Sequence, residues 1–419
     1  MKSELVQPVS RTVDLFVAWL DRYGETSQDH QDFYNSQVGR AAKNFYYRHP
    51  GIGRFAVLPM VGCEAFAPWT RRFFYPRMRL PIADAHYAMG FALYHRVTGD
   101  PRHLQRAVHF LEVLESTKCP AYRNAGWGYP FQWQTRNGLI QSGTPLITTT
   151  PYCYEAFAYV YRLDGNPRWK ETMASIARHV FEDYDDEETG PNAANSSYFP
   201  HLEHGVINAS SYRGFMLTAA ALEFAEPRYA AAAERNLNFV VQAQSPDGSW
   251  PYSTDGERTF VDHFHTCFVL KGLAKAEALA PRTAWRDAID RGVAYYLEQL
   301  FDEDGLPKPF SRAPRLTVYK RELYDCAECL NLAALLRGRF PKLDQAADRL
   351  VEHLLQKWAL PKGSFRSRKL LVGYDNVPMH RWGQSEIFRS LCALLTAERG
   401  YEANVAGLTP DHVRNLRNV

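Results

Sequence analysis

The sequence predicts an all-α fold: an (α/α)6 barrel, or toroid, of six helical hairpins closed by an N-terminal helix. Three observations predict it: a two-helix unit that recurs along the chain, a Gly/Pro turn inside the unit, and a difference in character between its two helices. In the clearest copy an apolar run from Ala85 to Val97 meets the turn Thr98-Gly-Asp-Pro101, and a second run follows from Arg102 to Leu114. The next copy runs from Tyr152 to Arg162, turns at Asp164-Gly-Asn-Pro167 and continues from Arg168 to Phe181. Glycine suits the left-handed residue after a helix, and proline the first turn of the next.

The pattern continues with runs from Asn208, Asp262, Tyr324 and Trp382, the first three paired with partners at 227–242, 283–300 and 343–358. First helices therefore start near 84, 151, 208, 262, 324 and 382. They have five obvious partners, and the amphipathic stretch Val9 to Arg22 supplies the sixth. First helices are apolar nearly all round, as an inner ring requires. Second helices carry one stripe, such as Leu104, Ala107, Val108, Leu111 and Leu114, as an outer ring requires. Strand signals are weak and confined to short β-turn pieces in linkers, at Ser245-Pro-Asp-Gly-Ser-Trp-Pro and Asp304-Gly-Leu-Pro. The aromatic-rich region Gln31 to Arg79 has no clean period and reads as an extended arm with short helices. The expected organisation is one toroid domain over 1–419: helix and arm at 1–80, hairpins at 81–400, a tail at 401–419.

Bulk properties narrow the function. The chain has 419 residues, 46% hydrophobic and 23% charged, with a formal charge of +3 and no basic block longer than Arg71-Arg72. Nucleic-acid binding calls for a stronger basic footprint. There is no apolar leader at the N-terminus and no run of 18 uncharged apolar residues, so no transmembrane segment is expected. The seven cysteines sit mostly in apolar helical stretches. Cys326-x-x-Cys329 lacks a second pair, so buried thiols in a reducing cytoplasm are expected rather than zinc or redox chemistry. No cofactor and no metal are implied. Asp262, His263 and His265 lie in one helical turn and face different ways.

In a toroid of this kind every inner helix runs the same way, so the N-terminal turns gather at one mouth, where exposed N–H groups favour anions and hydroxyls. The residues at these starts are polar and aromatic: Asp84 and His86, Tyr152, Asn208 and Tyr212, Asp262, His263 and His265, Tyr324 and Glu328, Arg381, Trp382 and Gln384. The loop Trp127-Gly-Tyr-Pro-Phe-Gln-Trp-Gln134 adds Trp127, Tyr129, Trp133 and Gln134. Each has an ordinary explanation: Asp84, Asn208 and Asp262 suit helix N-caps, and single aromatics or histidines are commonly core. Their recurrence at one phase of all six repeats points to a binding mouth instead. Aromatic faces with Asp, Glu, Asn, Gln and Arg between them suit a sugar, and Arg381 suits the carboxylate of a uronic acid.

Two mechanisms fit. Glycoside hydrolysis needs two carboxylates, Glu328 with Asp262 or Asp84. Epimerisation or β-elimination at a uronate needs a base, His265 or Tyr212, with Arg381 or Asn208 binding the carboxylate. A third reading comes from Asp183-Tyr-Asp-Asp186, which matches the acid motif of class II terpene cyclases, and from Gln244-Ser-Pro-Asp-Gly-Ser-Trp250, which is like their Gln…Gly…Trp repeat. That reading requires Asp185 and Asp186 to point into the cavity, whereas their acidic neighbours suggest a solvated turn.

Trp127–Gln134, Asp262-His-Phe-His-Thr-Cys-Phe-Val-Leu270 and Met379-His-Arg-Trp-Gly-Gln384 together resemble a little-characterised bacterial family of toroid proteins, over roughly Gly126 to Leu395. Members tend to be encoded among surface-polysaccharide biosynthesis genes. Some carry the label delta-aminolevulinic acid dehydratase, an enzyme that is a TIM barrel, which the helical periodicity here excludes. The chain departs from the family pattern at Tyr324-Asp-Cys-Ala-Glu328, where a histidine is expected. The architecture is also similar to N-acylglucosamine 2-epimerases, unsaturated glucuronyl hydrolases and polysaccharide lyase toroids. The resemblance implies a role in glycan assembly or tailoring without a defined reaction; together with the mouth it leads to an enzyme acting on an acidic sugar or oligosaccharide, free or lipid-linked, in surface-polysaccharide metabolism. The rival is a non-catalytic glycan-binding or scaffold protein, which would keep the Trp and Tyr rim and tolerate loss of Glu328 and His265.

Overall fold

The Gly/Pro punctuation ends and restarts helices as the repeat predicts. In a computed structural model, which describes residues 1–400 and 407–410, Gly99 (φ +72°) and Gly165 (φ +66°) turn left-handed directly after two helices. Pro101 and Pro167 open the next helices behind the capping side chains of Asp100 and Asn166.

Helix α1 (Ser3–Tyr23) leads into an arm of α2 (Asp32–Asn35), α3 (Gln37–Arg48), α4 (Pro50–Phe66) and a 3₁₀ turn, Pro68–Phe73. The hairpins follow: α5 (Pro81–Thr98) with α6 (Pro101–Ser116), α7 (Thr150–Asp164) with α8 (Pro167–Glu182), and α9 (Ile207–Phe224) with α10 (Pro227–Gln242). Then come α11 (His263–Leu279) with α12 (Thr283–Gln299), and α13 (Leu323–Leu335) with α14 (Pro341–His353). A π-helical turn, His380–Gln384, leads into the last inner helix, α15 (Ser385–Glu398).

Helices α5, α7, α9, α11, α13 and α15 pack in sequence, and α15 returns to α5, closing an inner ring buried along nearly its whole length. The outer helices bury one stripe, as α6 does with Ala107, Phe110, Leu111 and Leu114. Helix α1 packs on α15 and α14 as the sixth outer helix. Phe16 stacks on Phe388 at 5.2 Å, the Tyr94 hydroxyl donates to Asp14 at 2.5 Å, and Lys2 pairs with Glu352 at 2.6 Å.

Short strands occupy the linkers, most of them away from the two turns expected to hold them. The hairpins are β1 (Trp133–Thr135) with β2 (Gly138–Ile140), and β3 (Asp186–Gly190) with β4 (Ala193–Ser196). Two further pairings join successive linkers: β5 (Val261–Asp262) with β6 (Phe310–Arg312), and β7 (Tyr319–Glu322) with β8 (Arg368–Leu370) and β9 (Tyr374–Asp375). At 245–249 the chain makes a plain turn, and a lone bridge, Phe301 to Pro307, spans Asp304-Gly-Leu.

Three details differ from the sequence reading. Asp84 and Asn208 do not cap their helices: the N-cap positions are Leu80 and Val206, which puts both polar residues inside the first turns. The arm is more helical than expected, with α4 running 17 residues. The expected tail at 401–419 lies outside the described residues except for 407–410, where Leu408 is buried and the Thr409 carbonyl accepts from Arg162 at 3.3 Å.

Candidate functional site

The N-terminal turns of the inner helices and the linkers feeding them surround a hollow. Ile82 comes from α5, Thr148 from the approach to α7, Asn208 and Tyr212 from α9, Phe264, His265 and Phe268 from α11, and Tyr324 from α13. Arg381 and Trp382 come from the π turn before α15. A π turn widens the helix by a residue and turns these side chains toward the axis. Aromatic contacts run round the wall. Tyr252 packs edge-on to His265 at 4.7 Å, His265 meets Phe268 at 5.4 Å, Phe268 meets Tyr324 at 6.0 Å, and Tyr324 stacks on Trp382 at 5.5 Å. The Arg381 guanidinium bridges Trp382 (3.7 Å) and Tyr129 (4.7 Å), and Tyr129 meets Trp133 at 6.0 Å.

Three polar groups stand out on this wall. Asp262 caps α11 by accepting from the His265 backbone N–H at 2.8 Å, and its second oxygen holds His265 Nδ1 at 2.6 Å. A carboxylate accepts only, so Nδ1 carries the proton and Nε2 is left with a lone pair for the hollow. Tyr212 lies against Phe268 at 5.4 Å, the same ring that His265 touches. Burial first, and then the neighbouring Tyr152, push the Tyr212 hydroxyl far above its usual range. That hydroxyl therefore keeps its proton. Asn208 is buried, yet neither its amide nitrogen nor its oxygen has a partner in the fold. Unsatisfied polar atoms on a cavity wall are groups that a ligand would satisfy.

Beneath the hollow lies a buried polar layer with three cations and three carboxylates. Tyr212 meets the Tyr152 hydroxyl at 2.9 Å, Lys271 donates to Tyr152 at 3.2 Å, and Lys271 pairs with Glu328 at 2.5 Å. Lys275 pairs with Glu155 at 2.6 Å. Arg389 donates to His86 Nδ1 at 3.1 Å, which leaves the ring proton on Nε2, 2.7 Å from a Glu386 oxygen, and makes the ring neutral. Burial pushes Glu328 up to about 7 against the pull of Lys271. Burial also opposes ionisation of Glu386, but His86 and Arg389 hold it well below the carboxylate range. Lys275 falls to about 8, mainly by burial.

Several residues expected at the mouth lie elsewhere. Glu328, Tyr152 and His86 belong to the layer below the hollow rather than to its wall. Asp84 pairs with Arg79 at 3.1 Å, and burial raises it to about 7. His263 faces outward, bonding Tyr296 at 2.7 Å and the Leu300 carbonyl, because residues two apart on a helix diverge by about 200°. Gln134 alternates away from Trp133 along β1 and donates to the Thr135 carbonyl at 2.9 Å. Gln384 pairs with both backbone groups of Phe365, at 3.0 and 2.8 Å. Trp127 is fully buried, its indole N–H capping the α6 carbonyl of Leu114 at 2.8 Å. Asp185 faces the exposed His201 at 2.9 Å and Asp186 accepts from Arg213 at 2.6 Å, so neither lines the hollow. Gln244 and Trp250 bond to backbone carbonyls.

The sequence reading missed Gln31, Thr148, Tyr198 and Tyr252 on the wall. For Tyr252 a signal existed. Trp127-Gly-Tyr129 and Trp250-Pro-Tyr252 are the same Trp-x-Tyr element in two linkers. In both, the indole caps the preceding outer helix (Trp250 to Val240 at 2.8 Å) and the tyrosine reaches the hollow. Lys271 and Lys275 went unnoticed because each sits in an apolar run.

No protein-family model and no curated protein matches this sequence. Solved structures do. The chain is similar to a cellobiose 2-epimerase from Bacillus thermoamylovorans, with TM-score 0.60 and 10% identity, covering 76% of this chain and 88% of that one. It is similar to an unsaturated glucuronyl hydrolase from Bacillus sp. GL1, described as responsible for degradation of glycosaminoglycan, with TM-score 0.60 and 14% identity over 94% and 97% of the two chains. A polysaccharide lyase matches with TM-score 0.51 and 13% identity over 92% and 99%. The shared feature is the (α/α)6 toroid. Among the described residues no helix is long and apolar enough to cross a membrane.

Proposed function

We propose that this chain is a sugar-acting enzyme that moves a proton at a sugar carbon beside a carbonyl or carboxylate, by epimerisation or β-elimination. The observation that carries the reading is the Asp262–His265 pair on the wall of an aromatic hollow, beside Tyr212 and the unpartnered Asn208. His265 Nε2 takes the proton from carbon, and the electron pair moves onto the adjoining oxygen, where Asn208 donates to the growing charge. For epimerisation Tyr212 returns a proton to the opposite face and regains one through Tyr152 and Lys271. For elimination it protonates the leaving oxygen.

Hydrolysis is less well supported. Among the described residues no carboxylate lines the hollow, and Glu328 is committed to Lys271. Arg381, fixed by Asp29 at 2.6 Å but with its Nε unpartnered, and the six helix N-termini favour a carboxylate-bearing sugar, although Asp29 offsets part of that charge. The motif resemblance suggests surface-polysaccharide metabolism as the setting.

The test is incubation of the full chain with uronate-containing and neutral oligosaccharides in D2O, followed by NMR and by absorbance near ~235 nm, where a conjugated unsaturated uronate absorbs. Deuterium at a sugar carbon, or an unsaturated product, supports the proposal. New reducing ends without either overturn the proton-transfer step, and saturable binding without any product moves the protein to the glycan-binding class.

A further inference from the structure

The arm carries a surface that the hollow does not use. On α4 and the 3₁₀ turn after it, Ile52, Phe55, Leu58, Phe66, Trp69 and Phe73 are each between 54% and 75% exposed. Ile52, Phe55, Leu58 and Phe66 share one side of α4, while the opposite side packs on α3: a Cβ at Gly53 would lie 2.4 Å from the Tyr46 backbone. A contiguous apolar face of this kind marks a contact surface. Its charge is one-sided. Residues 36–74 hold six basic side chains (Arg40, Lys43, Arg48, Arg54, Arg71, Arg72) and one acid, Glu64. Glu64 turns inward to Arg368 at 2.6 Å, and Arg48, Arg54 and Arg72 are exposed.

The surface is mounted rigidly beside the mouth. Arg71 pairs with Asp375 of β9 at 2.6 Å, and the segment entering α2 supplies Gln31 to the wall and Asp29 to Arg381. The loop before β7 reaches the same place. Arg315 lies close enough to Lys43 to add to the effect of burial, which lowers that ammonium to about 8, and the adjoining Leu316 is 99% exposed.

We propose that α4 and the following turn seat in the headgroup boundary of an anionic bilayer, so that the mouth of the toroid opens at the membrane and receives the sugar end of a lipid-linked glycan. Exposed aromatics with interspersed arginines and no outward acid match that boundary. A second copy of the chain fits less well, since two such faces would bring like charges together. Helix α4 has 17 residues with Pro59 inside, so it lies in the interface and does not span. The glycan clause rests on the sugar reading above, whereas the membrane clause stands on the arm alone.

The experiment is co-sedimentation of the full chain with vesicles of phosphatidylcholine alone or with about one third phosphatidylglycerol. The expected results are roughly tenfold tighter binding to the anionic vesicles, weakening with salt, and a loss of about tenfold or more in Phe55→Ser/Phe66→Ser/Phe73→Ser. Arg48→Glu/Arg54→Glu/Arg72→Glu, which leaves the apolar face intact, loses the anionic preference. No binding to either vesicle overturns the proposal. So does binding that both variants retain, or a dimer in sedimentation that the serine variant breaks without vesicle binding. Turnover of a soluble oligosaccharide stays unchanged in the serine variant. Vesicle binding without turnover of any sugar therefore overturns the glycan clause and the sugar reading while upholding the membrane clause.

Discussion

Asp262→Asn isolates the role of the Asp262–His265 pair, because asparagine preserves everything about the position except the charge and one acceptor. Its Oδ1 still accepts from the His265 backbone N–H, now 2.8 Å away, and asparagine caps a helix as well as aspartate, so the cap itself should be kept to within about 0.5 kcal/mol. The other oxygen, 2.6 Å from Nδ1, becomes an amide N–H. A donor there requires Nδ1 to accept, which moves the proton to Nε2 and removes the lone pair facing the hollow. The lost charge-assisted hydrogen bond is worth about 1.5–3 kcal/mol, or about one to two powers of ten in rate, and the wrong tautomer adds to it. The expected result is a fall in kcat of about 10²–10⁴-fold with little change in KM, the range of a lost general base. Thermal unfolding checks the cap, and 15N NMR of the imidazole checks the tautomer without any substrate. An Asn variant that keeps the proton on Nδ1, or turns over within about threefold of the wild type, would refute the reasoning.

Two further outcomes follow. Trp127→Phe removes the indole N–H that caps Leu114 and should cost about 1–2 kcal/mol in denaturant unfolding while leaving KM unchanged; a raised KM at unchanged stability would return Trp127 to the binding site. Asp84, raised by burial from 3.8 to about 7, stabilises the fold fully at low pH, and this contribution is lost as pH rises through about 7. Glu328, raised from 4.5 to about 7, has the same sign. The melting temperature should therefore decline between about pH 4 and 7, and Asp84→Asn should flatten that decline by about 2 °C or more; an identical pH profile in the variant contradicts the assignment.

The ring of hairpins was legible because its signals are local. A glycine with positive φ, a proline two residues later, and apolar runs of different width are properties of short windows, and Gly99, Gly165, Pro101 and Pro167 act where they stand. The end of the ring that holds the site was legible for the same reason: the helix starts at Asn208, Asp262, Tyr324 and Arg381 were already visible as polar and aromatic clusters. Which member of each cluster faces the axis was not. His263 and His265 look alike in sequence, yet about 200° of helical rotation sends one to Tyr296 and the other to the hollow.

The remaining decisions were made across the chain. Arg381 is fixed by Asp29, 352 positions earlier, and Lys271 is matched to Tyr152, 119 positions away. Glu328 stands alone in the sequence, and only the fold brings Lys271 against it. The sequence by itself determined the toroid, its two rings and the end at which the polar and aromatic residues around the hollow collect, because helix period and turn chemistry are written within a few residues. Only the tertiary structure decided which side chains meet there, which charges cancel beneath them, and where the arm turns its apolar face, because burial and pairing depend on partners brought together by ring closure.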